Sequence, residues 1–162
     1  MNKKIRGAKK KVLDGITFDS HLEAACYREL KSAGIEFEYN SNTYEIFPGV
    51  RLNKVNFIES KVKNRGYHQY FNKKGEKLKL TAVKYTPDFV IKSIDDTPIF
   101  IETKGRANDV YPYKRRMFFK KLEDDNTVKE AYFFEPRTVE QIKESIEQIK
   151  LILNVNRDNS PT

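Results

Sequence analysis

Two short apolar segments separated by a polar turn constrain the fold of this chain more than any other sequence feature. Residues 88–91 and 98–102 are rich in Ile, Val and Phe, and residues 93–97 supply the turn between them. Short runs of β-branched and aromatic residues joined by a turn predict two β-strands that pair as a hairpin. The chain is therefore expected to fold around a sheet that contains this hairpin.

Segments with helical or extended patterns surround the hairpin. Ser20 is a suitable N-cap for a helix at residues 21–33, and Gly34 follows its last turn. Because 162 residues fit a single domain, these elements should share one core. Their order predicts an α/β fold in which helices flank one central sheet. The other predicted elements are strands at residues 36–39, 44–47, 55–58, 81–85 and 130–134, and helices at residues 111–122 and 138–153.

Both ends of the chain and one internal segment differ in composition from the rest. Residues 1–14 are predicted to be a basic, flexible arm and residues 154–162 a polar tail, which leaves residues 15–153 as the folded domain. Residues 59–80 interleave Lys and Arg with aromatic residues and are predicted to be a β-hairpin or loop inserted in that domain. This composition suits an arm that grips DNA, and a solvated loop is the alternative.

The cysteine and histidine content excludes two kinds of site. Cys26 is the only cysteine, and His21 and His68 are the only histidines, so neither an internal disulfide nor a zinc site of several such ligands is available. A bound metal would have oxygen ligands, which favours Mg²⁺, Mn²⁺ or Ca²⁺. No apolar run approaches the ~18 residues of a membrane span, and the basic start lacks the apolar core of a secretory signal. We therefore expect a cytoplasmic protein with no membrane partner and no small-molecule cofactor.

Positive charge is concentrated in three segments. Residues 1–11, 61–84 and 104–121 carry net charges of +6, +7 and +6, which is +19 together, whereas the whole chain carries +8 and the rest therefore −11. Clustered Lys and Arg are typical of proteins that bind nucleic acid, and a solvated face is the alternative for any single cluster. The predicted nucleic-acid contacts are Lys61, Lys63, Arg65, Lys73, Lys74, Arg106, Lys114, Arg115 and Arg116.

Three charged side chains interrupt the ends of the two apolar strands. Asp88 opens the first strand, and Glu102 and Lys104 end the second. Alternation along a strand places Glu102 and Lys104 on one face about 7 Å apart, and hairpin pairing brings Asp88 to the same end. Neighbouring carboxylates favour a hard divalent cation, which activates water for phosphodiester hydrolysis, while a lysine orients that water or stabilises developing charge. An ordinary surface salt bridge is the alternative.

The segments Pro87-Asp88 and Glu102-Thr103-Lys104 resemble the signature of the PD-(D/E)XK nuclease superfamily. Residues 18–30 resemble the first helix of its small phage and prophage members, similar to the phage endonuclease I Holliday-junction resolvases and to the nuclease subunit of Tn7-type transposases. The resemblance covers about residues 15–135. It implies a restriction-endonuclease-like αβββαβ core, a bacterial host and Mg²⁺-dependent DNA cleavage, with Mn²⁺ as a substitute. It also implies catalytic roles for Glu23, Asp88, Glu102 and Lys104, and metal ligation by Glu23, Asp88, Glu102 and the Thr103 carbonyl.

Glu23 has a second interpretation. Ser20-x-x-Glu23 is also a capping box, in which the Glu23 carboxylate would only accept a hydrogen bond from the Ser20 backbone N–H. Helical geometry places Glu23 about 100° from Leu22, at the border of the apolar stripe, where it can face a cleft. Both roles remain open from sequence.

Four further side chains near the charged segments have structural interpretations. Tyr111 and Tyr113 can stack on bases, but packing on the core is predicted for them. His21 and His68 are predicted to face solvent, and no chemistry is assigned to them.

These features favour a metal-dependent endodeoxyribonuclease. Because no recognition domain accompanies the small core, selectivity for branched or junction DNA is predicted over sequence-specific nicking. Paired cuts at a junction need two sites, so a homodimer is expected for that activity. Two alternatives remain open: a nucleic-acid-binding module without catalysis, and an endonuclease of the same fold that acts on RNA.

Overall fold

The computed structural model describes residues 10–55, 58–61, 66–69, 78–93, 95–105 and 109–158. The chain divides into two compact units, one formed by Met1–Tyr44 and Tyr85–Thr162 and the other by Glu45–Lys84. In chain order the elements are β1 (Lys11–Leu13), β2 (Ile16–Phe18), α1 (His21–Ser32), β3 (Glu38–Tyr39), β4 (Tyr44–Phe47), β5 (Val50–Arg51), β6 (Ile58–Lys61), β7 (Gly66–Gln69), β8 (Lys79–Leu80), β9 (Val83–Tyr85), β10 (Phe89–Lys92), β11 (Pro98–Ile101), α2 (Tyr111–Asp124), β12 (Tyr132–Phe134) and α3 (Val139–Asp158).

The first unit is built on a four-stranded mixed sheet with the order β12–β11–β10–β3. β10 pairs antiparallel with both β3 and β11, whereas β12 runs parallel to β11. In the β10–β11 hairpin, Phe89 lies opposite Ile101 and Lys92 opposite Pro98. The fold is therefore mixed α/β, and the predicted hairpin is confirmed.

Helices cover both faces of this sheet. Side chains alternate between the faces along each strand, so Ile91 and Ile99 lie on one face, where they are buried with apolar side chains of α1 and α3. Phe100 lies on the opposite face against Phe118 of α2, at a ring-centroid distance of 5.1 Å, and both rings are fully buried. The first unit thus has three layers, with the sheet between α1 and α3 on one side and α2 on the other.

A hairpin that the sequence analysis did not predict precedes α1. Residues 1–14 were expected to be a flexible arm, but β1 pairs antiparallel with β2. Asp14 and Gly15 connect the strands with φ values of +52° and +76°. An Asp-Gly pair with two positive φ angles is typical of the tight turn that matches strand twist, and this dipeptide was the missed signal. The start of the folded unit therefore moves ahead of residue 15, and residues 1–9 lie outside the described residues.

Gly34 ends α1 in the left-handed region, with φ +67°. The N–H of Ile35 then donates to the Leu30 carbonyl at 3.1 Å, which closes the end of the helix. A Cβ added at Gly34 would meet no atom within 4 Å, so only backbone strain opposes a side chain there.

We expect Gly34→Ala to lower the free energy of unfolding by about 1 kcal/mol, measured by urea denaturation. Ser32→Ala, an exposed change within the same helix, should stay within about 0.5 kcal/mol of the parent chain, and equal stability of both variants would contradict the argument.

The strands between β3 and β10 do not join the central sheet within the described ranges. β4 and β9 were expected in that sheet, but they pair with each other. In the second unit, β5 pairs antiparallel with β8, and β6 with β7. The β6–β7 pair lies within the segment predicted at residues 59–80 as a hairpin or loop, while residues 62–65 and 70–77 lie outside the described residues. The strand predicted at residues 55–58 begins only at Ile58.

The last helix is longer than predicted. α3 was expected to end at residue 153, but it continues to Asp158, so residues 154–158 of the predicted tail are helical. The physical reason is that neither glycine nor proline interrupts the sequence before Pro161. Across the described ranges, the helices lack the combination of length and apolar character needed to cross a membrane.

Candidate functional site

The predicted site lies at the open end of the β10–β11 hairpin, opposite its turn. Asp88 immediately precedes β10, and Glu102 immediately follows β11. The register that sets Phe89 opposite Ile101 brings these two carboxylates to the same end of the hairpin. The expected convergence of the two acidic residues is therefore present.

The backbone beyond β11 remains extended and presents Lys104 beside Glu102. The N–H groups of Glu102 and Lys104 donate to the carbonyls of Phe134 and Pro136 at 2.9 and 3.0 Å, which continues the pairing of β11 with β12. Strand alternation therefore holds over these residues, and Lys104 Nζ donates to Glu102 Oε1 at 2.8 Å. The two side chains lie on one face, as predicted.

The Glu102 carboxylate is buried and has two donors. The residue is 4% exposed, and Tyr85 Oη donates to Oε2 at 3.0 Å while Lys104 occupies Oε1. Burial raises the pKa of Glu102, although the Lys104 ammonium and the Tyr85 hydroxyl oppose that increase. Because the glutamate is buried and the Lys104 side chain is only 25% exposed, this pair differs from an ordinary surface salt bridge.

Asp88 lies in an environment that disfavours its charged form. The backbone N–H and the hydroxyl of Thr103 both donate to Asp88 Oδ2 at 2.8 Å, which helps the charged form. Burial, followed by the charges of Glu102 and Glu23, nevertheless raises the pKa of Asp88 to about 8. The protonated form of this carboxyl is therefore favoured more than in an ordinary aspartic acid, and a bound cation would favour the charged form.

Glu23 is held by contacts that differ from a capping box. Ser20 Oγ accepts the Glu23 N–H at 3.1 Å and caps α1 as predicted. The Glu23 carboxylate does not return to the Ser20 N–H. Its Oε2 accepts the Tyr39 hydroxyl at 2.7 Å and the Asp19 N–H at 3.2 Å. The side chain is buried, and its charge contributes to the raised pKa of Asp88, so the reciprocal-cap interpretation of Glu23 is wrong.

The donor set suits a hard divalent cation. Oδ1 of Asp88 accepts no hydrogen bond from the described residues, so this carboxylate retains a free oxygen. Asp88, Glu102 and the Thr103 carbonyl supply the oxygen ligands that Mg²⁺ and Mn²⁺ prefer. Over the described part of the chain, however, no three His, Cys, Asp or Glu side chains form a group that could hold a metal ion. The charge of Glu23 contributes to the raised pKa of Asp88, and its role as the third acidic ligand stays a prediction.

Tyr111 and Glu135 extend the site on the side of Lys104. Lys104 Nζ lies 4.4 Å from the centroid of the Tyr111 ring, and the Tyr111 hydroxyl donates to Glu135 Oε2 at 2.8 Å. Arg115 and Arg137 form ion pairs with the same carboxylate. Among the described side chains, Arg115 Nε is buried without a hydrogen-bond partner. Sequence patterns carry no information on long-range contacts, so they could not predict that Tyr111, Arg115, Glu135 and Arg137 lie together.

The predicted nucleic-acid contacts fall into three groups. Arg116 is exposed on α2, Lys114 is half-buried, and Arg115 is engaged by Glu135. Lys61 ends β6, where the structure describes its backbone. Lys63, Arg65, Lys73, Lys74 and Arg106 lie outside the described residues.

The two tyrosines of α2 differ in burial, although packing on the core was predicted for both. Tyr111 is 5% exposed and packs as predicted, but Tyr113 is 66% exposed, so the packing prediction for it is wrong. Tyr111 and Tyr113 are two positions apart on α2, so their side chains are about 200° apart around the helix axis and point to opposite sides. His21 is exposed, as expected, and His68 lies on β7.

Sequence reasoning missed two tyrosines that hold the acidic residues. Tyr85 donates to Glu102, and Tyr39 donates to Glu23. Burial raises the pKa of both hydroxyls, so they remain protonated donors. A tyrosine on a buried strand needs a hydrogen-bond acceptor for its hydroxyl, and this was the only signal in the sequence. The sequence does not identify the acceptor.

The fold and the site define a mixed α/β domain with a carboxylate–lysine cluster at the end of its central hairpin. The chain belongs to DUF1064, a family of proteins of unknown function, whose family model matches residues 3–135. This span includes Glu23, Asp88, Glu102 and Lys104. No curated protein and no solved structure matched the chain.

Proposed function

We propose that this protein is a metal-dependent endonuclease that hydrolyses DNA phosphodiester bonds, with a preference for branched or junction DNA. The observation that carries the proposal is the ion pair of Lys104 with the buried Glu102, which lies at the same end of the central hairpin as Asp88. A lysine held next to two carboxylates of raised pKa supplies the groups that hydrolysis of a phosphodiester needs in one place.

The element order supports a restriction-endonuclease-like core. Without the strands that lie outside the central sheet, the chain reads α1, β3, β10, β11, α2, β12, α3, and the first six elements follow the αβββαβ order implied by the family resemblance. The first three of these strands are antiparallel and the last is parallel to β11. In this arrangement the two motif segments occupy neighbouring strands.

In the proposed mechanism, Asp88, Glu102 and the Thr103 carbonyl would hold Mg²⁺, with Glu23 as the third acidic ligand. When bound, the ion would polarise a phosphoryl oxygen and lower the pKa of water. Lys104, fixed by Glu102, would orient the attacking water and stabilise negative charge that develops on the phosphate. Thr103 orients Asp88 through two hydrogen bonds and thereby limits the cost of ordering the site.

The charge distribution supports a nucleic-acid substrate. The segment that follows the site, residues 104–121, carries six net positive charges, and exposed Arg116 lies on its helix. Such a surface attracts phosphates by releasing counterions. A homodimer is part of the proposal for junction cleavage, because two sites are needed for paired cuts.

A cleavage assay tests the proposal. Purified protein is incubated with a four-way junction, a flap and a linear duplex of matched sequence, each in Mg²⁺, Mn²⁺ or EDTA. We expect cleavage of the branched DNA in Mg²⁺ and Mn²⁺, reduced at least about 10³-fold by EDTA. Sedimentation of the same protein measures whether it is a dimer.

Two outcomes would overturn the proposal. DNA binding without cleavage in either metal would favour the nucleic-acid-binding module. Faster cleavage of a matched branched RNA than of DNA would assign the activity to RNA. Preparations from a strain carrying the Lys104→Ala gene are the control for contaminating nucleases.

A further inference from the structure

Lys104 has a second contact besides Glu102. Its ammonium lies 4.4 Å from the centroid of the Tyr111 ring, within the range of a cation–π interaction. Tyr111 is 5% exposed, so its ring is a fixed surface of the protein interior. The lysine therefore lies between a carboxylate on its own strand segment and an aromatic ring on α2.

The Tyr111 ring is itself anchored at its far end. Its hydroxyl donates to Glu135 Oε2 at 2.8 Å, and the same carboxylate pairs with Arg115 and Arg137. These partners lower the pKa of Glu135 against the opposing effect of its burial, so Glu135 remains an ionised acceptor. A connected set of contacts thus runs from Glu135, the residue after β12, through Tyr111 to Lys104 and Glu102.

A lysine needs such support to act at one position. Its side chain has four rotatable bonds and loses considerable rotamer freedom when it is held in one geometry. Glu102 restrains the ammonium by one hydrogen bond at Oε1, which leaves the direction of the remaining N–H groups free. A ring face on another side of the ammonium removes much of that freedom.

We propose that Tyr111 is a positioning residue for Lys104: its buried ring holds the ammonium in the direction required for hydrolysis. The consequence for catalysis rests on the proposed function. The placement of Lys104 by the ring does not depend on the proposed function, and a separate experiment measures it. Tyr111 does not contact the reacting atoms in this proposal.

The placement is tested by NMR of the full chain with ¹³C-labelled lysine. The ring current of Tyr111 should shift the Lys104 ε-CH₂ signal upfield of the other lysines, and Lys104→Arg identifies that signal by removing it. We expect Tyr111→Leu to abolish the shift and Tyr111→Phe to retain it. Tyr113→Leu is the matched control, because Tyr113 is on the same helix but 66% exposed, and it should leave the signal unchanged.

The catalytic consequence is tested on the cleavage reaction. Tyr111→Leu should lower kcat about 10-fold with little change in KM, whereas Tyr111→Phe should retain most of kcat because the ring remains. An unshifted Lys104 signal in the parent chain, or a kcat as low in Tyr111→Phe as in Tyr111→Leu, would overturn the proposal. If no substrate is cleaved but the NMR results are as expected, the proposed function fails and the positioning of Lys104 stands.

Discussion

Replacing Lys104 by alanine is expected to lower the rate of metal-dependent DNA cleavage by about 10³-fold. The change removes the ammonium that lies 2.8 Å from Glu102 and would act on the water and the developing charge. Single-turnover cleavage of junction DNA, with protein in excess, measures this loss at the chemical step. Binding of the same DNA in Ca²⁺, measured by fluorescence anisotropy, should change by less than about 10-fold, because one charge among many is lost.

Two further variants separate chemistry from folding and from net charge. Lys104→Gln can still donate a hydrogen bond to the buried Glu102, so its fold should be maintained while its cleavage remains as slow as that of Lys104→Ala. Lys150→Ala also removes one lysine and one ion pair, but it lies on α3 outside the three basic segments. It should cleave at the parent rate. Parent-like cleavage by Lys104→Ala would exclude the catalytic role.

Asp88→Asn is expected to stabilise the metal-free protein at alkaline pH and to abolish cleavage. The folded-state pKa of Asp88 is raised to about 8 by burial and by the charges of Glu102 and Glu23. An acid whose pKa is raised on folding binds protons more tightly in the folded state, so the stability it contributes is lost as pH rises from about 4 to above 8. Asparagine keeps a neutral acceptor for the Thr103 donors and removes the charge.

The expected gain is about 2 kcal/mol in the free energy of unfolding at about pH 9 in EDTA, measured by urea denaturation. At about pH 5 the Asp88 carboxyl is protonated in the folded state, and the difference between the two chains should become smaller. Saturating Mg²⁺ should stabilise the parent chain and leave Asp88→Asn unchanged, because binding to the folded state alone raises stability. Lower stability of Asp88→Asn than of the parent chain at alkaline pH would contradict the assignment of an uncompensated charge.

Local patterns were sufficient to predict the elements that carry the site. The run of apolar residues before and after the turn at residues 93–97 specified the β10–β11 hairpin. Strand alternation then predicted the contact between Glu102 and Lys104, and Ser20 predicted the start of α1. Each of these features depends on residues that are near in sequence or paired in register.

Features that depend on tertiary contact were not predictable from the chain alone. The tyrosines that hold Glu102 and Glu23 come from strands that are distant in sequence, and nothing in a single tyrosine specifies its acceptor. Likewise, β4 and β9 have the same extended pattern as the central strands, so the sequence did not show that they pair with each other. The Asp14-Gly15 turn is different, because its local signal was present and was missed.

The chain segment that leads out of the first unit contacts the segment that leads back into it. Thr43 and Thr86 are joined through their hydroxyl groups at 2.8 Å, and the adjacent rings of Tyr44 and Tyr85 both contact Phe118, at 5.0 and 4.7 Å. Because these contacts hold the two ends of the stretch from Glu45 to Lys84 together, its length has little effect on the entropy of closing the loop. Changes in the length of that stretch are therefore expected to leave Asp88, Glu102 and Lys104 in place.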